Sequence, residues 1–178
     1  MGICSRSEAG TAAKAAPKTP ATSTTAPCPL STTQKAINNI KASDFAKTEE
    51  GKKVVKKIEA LQKDGKIEHA SLAGTKRGEW NGSKIRASDK YKDDPDATAS
   101  ELVHEATHAL NEDEHPASKT KNTIDEEMRT NDNQLDYYET QRAGGFRDPE
   151  LERRKGLRKD GKLRDDVKSR YPTLAEHL

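Results

Sequence analysis

Apolar residues along this chain come in short runs of helical spacing, separated by long polar stretches. Ile37 and Ile40 mark the inward side of a short helix over residues 31–41. Phe45, Val54, Val55, Ile58 and Leu61 form the stripe of a second helix, starting at Ser43 or Asp44 and ended by Asp64-Gly65. The period then changes. Residues 66–72 and 83–87 alternate between apolar and polar and are bounded by glycine, with Glu79-Trp80-Asn81 a third segment between them. This predicts a short antiparallel sheet, with Trp80 as core or sheet cover rather than a substrate contact. A polar loop over residues 91–95 leads into a helix over residues 99–111, with Leu102, Ala106, Ala109 and Leu110 on its apolar side. Thr98 and Glu101 have capping-box spacing at its start. After a charged loop over residues 111–121, a long helix runs from Asn122 to about Arg142 and stops at Gly144-Gly145. Its inward stripe reads Ile124, Met128, Asn131, Leu135 and Tyr138. The charged tail holds two short helices, residues 149–159 and 163–171, and is expected to lie farthest from any chemistry.

Composition limits the core. Of 178 residues, Ile, Val, Leu and Phe make up 24, below the roughly 20% of a well-cored domain. The expected fold class is therefore a small α+β domain, mostly helical, over residues 34–178. Residues 1–33, rich in Ser, Thr, Ala and Pro, read as a disordered head. The formal charge of +2 gives no reason to expect nucleic acid. In residues 142–178, 11 Lys and Arg face 7 Asp and Glu, but the signs alternate and no aromatic platform accompanies them. Both cysteines, Cys4 and Cys28, fall in the head, so no disulfide framework is implied. Neither a membrane span nor the apolar core of a secretory signal peptide is present. A monomer is expected. Gly2 and Cys4 form a myristate and palmitate pair that would anchor the chain to a membrane, although Arg6 stands where the motif wants Ser or Thr.

The chemistry concentrates in His104-Glu105-Ala106-Thr107-His108. Two histidines four apart on a helix lie one turn above each other, so their imidazoles can share a metal ion. Glu105 points to a neighbouring side, where it can take a proton from a metal-activated water. A catalytic zinc needs a third protein ligand. A histidine six residues after the second would be one solution, but that position is Glu114, His115 falls one residue late, and Asn111 stands where a turn glycine is wanted. Glu112 and Glu114 lie close to the helix end. Glu127 is better placed, at the edge of the inward face of the next helix, where a carboxylate is costly unless it binds something. Glu126, on the far side, is the fallback. Asn131 could orient a ligand by a hydrogen bond.

These residues resemble the zincin metallopeptidases, in the branch where His-Glu-x-x-His is completed by a glutamate from a later helix. Glu127-Met128-Arg129-Thr130-Asn131 is similar to that branch's ligand segment, with Thr and Asn where Ala and Asp are commoner. The short chain, the Ser/Thr-rich head and Met1-Gly2-Ile3-Cys4 resemble the small type III-secreted zinc metallopeptidase effectors of the NleD-like family. That resemblance implies zinc-dependent endoproteolysis of host proteins, MAP kinases being the known target class, after delivery into the host cytosol or to a host membrane. It also implies zinc on His104, His108 and Glu127, with Glu105 as base. Tyr137, Tyr138, Arg129 and His177 are candidates for holding the oxyanion. The alternative is a non-catalytic partner-binding effector with an incidental histidine pair.

Overall fold

The computed structural model describes residues 30–116 and 122–176. Among the described residues, six α-helices and a three-stranded sheet make a mixed, mostly helical α+β domain. Helix α1, Thr32–Ala42, is capped by the Ser31 hydroxyl, which accepts from the Gln34 N–H. A 3-10 turn, Phe45–Lys47, follows, and α2 spans Glu49–Lys63. The second helix thus starts later than its apolar stripe, because Thr48 provides its cap by accepting from Gly51 N–H. Phe45, Val54, Ile58 and Leu61 are buried as the stripe requires.

Strands β1 (Ile67–Ala70), β2 (Gly78–Trp80) and β3 (Ile85–Ser88) are ordered β1-β3-β2. The sheet is mixed, not antiparallel as expected: β3 pairs antiparallel with β2 but parallel with β1. Ile85, Ala87 and Ser88 are buried while β1 and β2 are half-exposed, so β3 takes the centre. The β2–β3 turn is held by Asn81 Oδ1, which accepts from the N–H groups of Ser83 and Lys84.

Helix α3, Pro95–Glu114, begins four residues earlier than the sequence pattern indicates and runs past Asn111. Asp94 caps it by accepting from Asp96 and Ala97 N–H, and Pro95 fills the first helical position, where no N–H is needed. The Thr98–Glu101 capping box does not form. Thr98 is buried and donates its hydroxyl to Tyr91 O at 2.9 Å, and Glu101 turns to Arg77 instead. Helix α4, Ile124–Ala143, opens with a capping box: Thr123 N–H donates to Glu126 Oε2 at 2.8 Å and Glu126 N–H to Thr123 Oγ1 at 3.2 Å. Helices α5 (Pro149–Lys159) and α6 (Leu163–Arg170) follow.

Two apolar clusters form around a polar seam. One joins α1, α2, β3 and α3 through Ile37, Ile40, Val54, Ile58, Ile85, Leu102 and Val103, with Tyr137 reaching in from α4. The other joins α4 to the tail through Leu135, Tyr138, Leu151 and Leu163. The expected α4 stripe is thus largely buried, and its Met128, Leu135 and Tyr138 pack with Leu151 of α5 and Leu163 of α6. Apart from Tyr137, the contacts that α4 makes with α3 are largely polar. Glu127, Gln134 and Gln141, seven residues apart, contact His108, His104 and Asp96 in turn, so the two helices run antiparallel.

The tail is not peripheral. Ile124 N–H donates to Ala175 O at 2.8 Å, and Arg164 ties Asp125 to Glu176. The last residues described therefore clamp the start of α4, three residues before Glu127.

Candidate metal centre

His104 and His108 stand one turn apart on α3, ring centroids 5.1 Å apart. Glu127 reaches them from α4, its Oε1 lying 3.6 Å from His108 Nε2. Among the described residues these three form the one group of metal-ligating side chains whose ligand atoms all lie within 4.8 Å of one another. The other oxygen, Glu127 Oε2, is buried without a hydrogen-bond partner. A buried carboxylate oxygen left bare costs free energy unless a cation completes its surroundings. His104 Nδ1 lies 3.2 Å from Gln134 Oε1. An amide oxygen only accepts, so the ring proton belongs on Nδ1 and the Nε2 lone pair is left for a metal. Two imidazoles and a carboxylate are a zinc-type donor set, and three protein ligands leave a position open.

Burial dominates the electrostatics. It holds His104 well below its ordinary pKa, with His108 adding to the effect, and draws His108 down to about 4. It pushes Glu127 up to about 7, against the opposing pull of Arg170. Without a cation, then, both rings are neutral at neutral pH and Glu127 keeps a proton below about pH 7. Zinc must displace that proton. Affinity is therefore expected to rise about tenfold per pH unit up to pH 7 and to level off above it. Competition with a chelator between pH 5.5 and 8.5 checks this, and a flat profile below pH 7 would contradict it.

Glu105 lies against β2, beside Gly78 and Trp80, and is 5% exposed. Its Oε2 accepts from Trp80 N–H at 2.7 Å. Burial, then the charge of Glu101, raises its pKa well above the ordinary carboxylate range. Trp80 both packs against the first apolar cluster and lines the cavity, so the core and site readings meet in one residue. Its indole N–H donates to Glu112 Oε2 at 2.6 Å.

A cavity of about 630 Å³ opens over these groups. Thr75 to Trp80 line one side, and Glu150, Arg154, Arg170 and Tyr171 from the tail line another. β2 is an edge strand. The main chain of Arg77 bonds to β3, with Ser88 N–H donating to Arg77 O at 2.9 Å, and that of Asn81 bonds to Lys84 just before β3, with Asn81 N–H donating to Lys84 O at 3.3 Å. By the alternation of an antiparallel ladder, the backbone groups of Gly78 and Trp80 point the other way.

Several expected roles fall elsewhere. Glu126 is committed to the α4 capping box. Glu112 accepts from Trp80, and Glu114 pairs with Arg129 and Lys53. His115 closes the C-terminus of α3, outside the three-residue group. Asn131 donates to the Glu127 main-chain oxygen at 2.7 Å and accepts from Arg154 at 3.0 Å. The orienting role goes to Gln134, which the sequence reading missed. Replacing Gln134 with Leu is expected to weaken zinc binding 10- to 100-fold, as for other partners of metal-bound histidines. Unchanged affinity in chelator competition would remove Gln134 from the site.

None of the described oxyanion candidates lines the cavity. Tyr137 is buried with its ring edge-on to Phe45 at 6.0 Å. Tyr138 donates to Glu152, and Arg129 is held by Glu50, Asn111 and Glu114. His177, Gly2, Cys4 and most of the expected disordered head lie outside the described residues. The cavity's own tyrosine is Tyr171, with Arg170 beside it, its guanidinium carbon 5.8 Å from the Tyr171 ring centroid.

Comparison with known proteins finds no matching family model, no matching curated protein and no matching solved structure. No helix among the described residues is long and apolar enough to cross a membrane.

Proposed function

We propose that this chain is a zinc-dependent endopeptidase. The observation that carries the reading is the convergence of His104, His108 and Glu127, with a bare Glu127 oxygen between helices and the Glu105 carboxylate at the same cavity. His104, His108 and Glu127 would hold the ion. Bound zinc supplies Lewis acidity toward a water and a peptide carbonyl. Glu105 takes the proton of the attacking water and hands it to the amide nitrogen as the C–N bond breaks. Gln134 holds the His104 ring in register. The outward backbone groups of Gly78 and the Trp80 carbonyl, the Trp80 N–H being taken by Glu105, offer an extended peptide a strand to pair with across the cavity.

The substrate is a host protein and the enzyme acts as a monomer, delivered into a host cell by a bacterial secretion system. The Ser/Thr-rich head and the likeness to the NleD-like effectors support this. Acylation of Gly2 and Cys4 would place the enzyme at a host membrane. The test is to compare new protein N-termini in host cells expressing wild type or Glu105→Gln. Cuts present only with wild type support the reading. Identical sets of termini, with both proteins expressed and zinc-loaded, would leave a partner-binding module.

A further inference from the structure

We propose that β2 is the seat of the general base: the missing side chain of Gly78 and the backbone N–H of Trp80 fix the Glu105 carboxylate for proton transfer. Both are positioning groups, and the inference rests on the metallopeptidase reading above. The first observation is steric. A Cβ placed on Gly78 would stand 2.7 Å from Glu105 Oε1, 2.9 Å from Cγ and 3.2 Å from Cδ. Real Cβ atoms essentially never approach within 3 Å of another heavy atom. The contact reaches back to Cγ, so rotating the carboxylate end does not relieve it and the whole side chain must move.

Backbone conformation does not explain the glycine. Among the described residues the glycines with positive φ are Gly65, Gly74, Gly82, Gly145 and Gly161, and Gly78 is not one of them. What position 78 requires is space, and Glu105 fills it.

The second observation is the hydrogen bond from Trp80 N–H to Glu105 Oε2 at 2.7 Å. It uses an edge-strand donor that β3 does not reach. The Trp80 indole N–H binds Glu112, seven residues further along α3, at 2.6 Å. Lys57 Nζ lies 5.8 Å from the Trp80 ring centroid. One residue thus ties the strand to two successive points on the helix face. Glu105 is held on one side by a donor and confined on the other by a backbone with no Cβ. This restricts its carboxylate within the cavity that His104 and His108 also line, and a displacement of about 1 Å at a reacting group can cost about 100-fold in rate.

Gly78→Ala tests the seat. The probe is a mixed-sequence peptide library, followed by kinetics on the peptide that wild type cleaves best. The variant is expected to keep one zinc per chain and a KM within about twofold, with kcat lower by about 100-fold. A second readout needs no activity. The Trp80 amide proton, donated to a carboxylate, is expected downfield in the nuclear magnetic resonance spectrum of wild type and shifted upfield in both Gly78→Ala and Glu105→Ala. Wild-type kcat in Gly78→Ala, a raised KM with unchanged kcat, or a Trp80 amide unmoved in Glu105→Ala would each overturn the proposal. If wild type cleaves no peptide, the peptidase reading fails alone, and the amide resonance still decides whether β2 seats Glu105.

Discussion

Glu105→Gln is expected to bind one zinc per chain and to cleave about a thousandfold more slowly than wild type, within the range that a positioned general base contributes. Gln keeps the length of the side chain, and its oxygen can still accept from Trp80 N–H, now 2.7 Å from Glu105 Oε2. The ligands His104, His108 and Glu127 are untouched. Only the capacity to take a proton goes. Metal analysis beside single-turnover cleavage measures both halves. Loss of zinc would make Glu105 a ligand or a structural group, and unchanged cleavage would make the base another residue.

The second large effect separates two adjacent glutamates. Glu127→Ala is expected to weaken zinc binding by more than about 100-fold, beyond the 10- to 100-fold of an outer partner. Glu126→Ala should leave zinc in place and lower stability by roughly 1 kcal/mol through loss of the capping box. The metal-free Glu127→Ala protein is expected to be at least as stable as metal-free wild type, since it no longer buries a carboxyl with an unpartnered oxygen. Chelator competition and thermal unfolding of both variants check this. Zinc lost from Glu126→Ala and kept by Glu127→Ala would reverse the assignment.

What could be read in advance followed from local geometry. Helical spacing alone places His104 and His108 on one turn, and the position of Glu127 at the edge of the next helix's apolar stripe favours it, with Glu126 left as the fallback. The role of Glu126 was also available, because Thr123-x-x-Glu126 is itself a capping-box spacing at the start of α4. At α3 two caps competed. Asp94 prevailed over Thr98 because Pro95 suits the first helical position, and Thr98 is buried within the helix.

Other features depend on where distant segments meet. Alternation marks β1 and β3 as strands but does not name their partners, so a parallel pair is invisible beforehand. The polar heptad Glu127, Gln134, Gln141 carries no hydrophobic signal, yet it is the seam along which α4 lies on α3. Arg154, Arg170 and Tyr171 sit in segments that read as solvated charge. They become a wall of the cavity because Leu151 and Leu163 bury against Leu135 and Tyr138, and because Ala175 returns to Ile124.

Metal content tests the account most directly. Protein purified without added metal, and analysed beside His104→Ala prepared identically, is expected to carry one zinc per chain in the wild type and almost none in the variant. Equal metal in the two, or none in a folded wild type that also fails to take up added zinc, would contradict it.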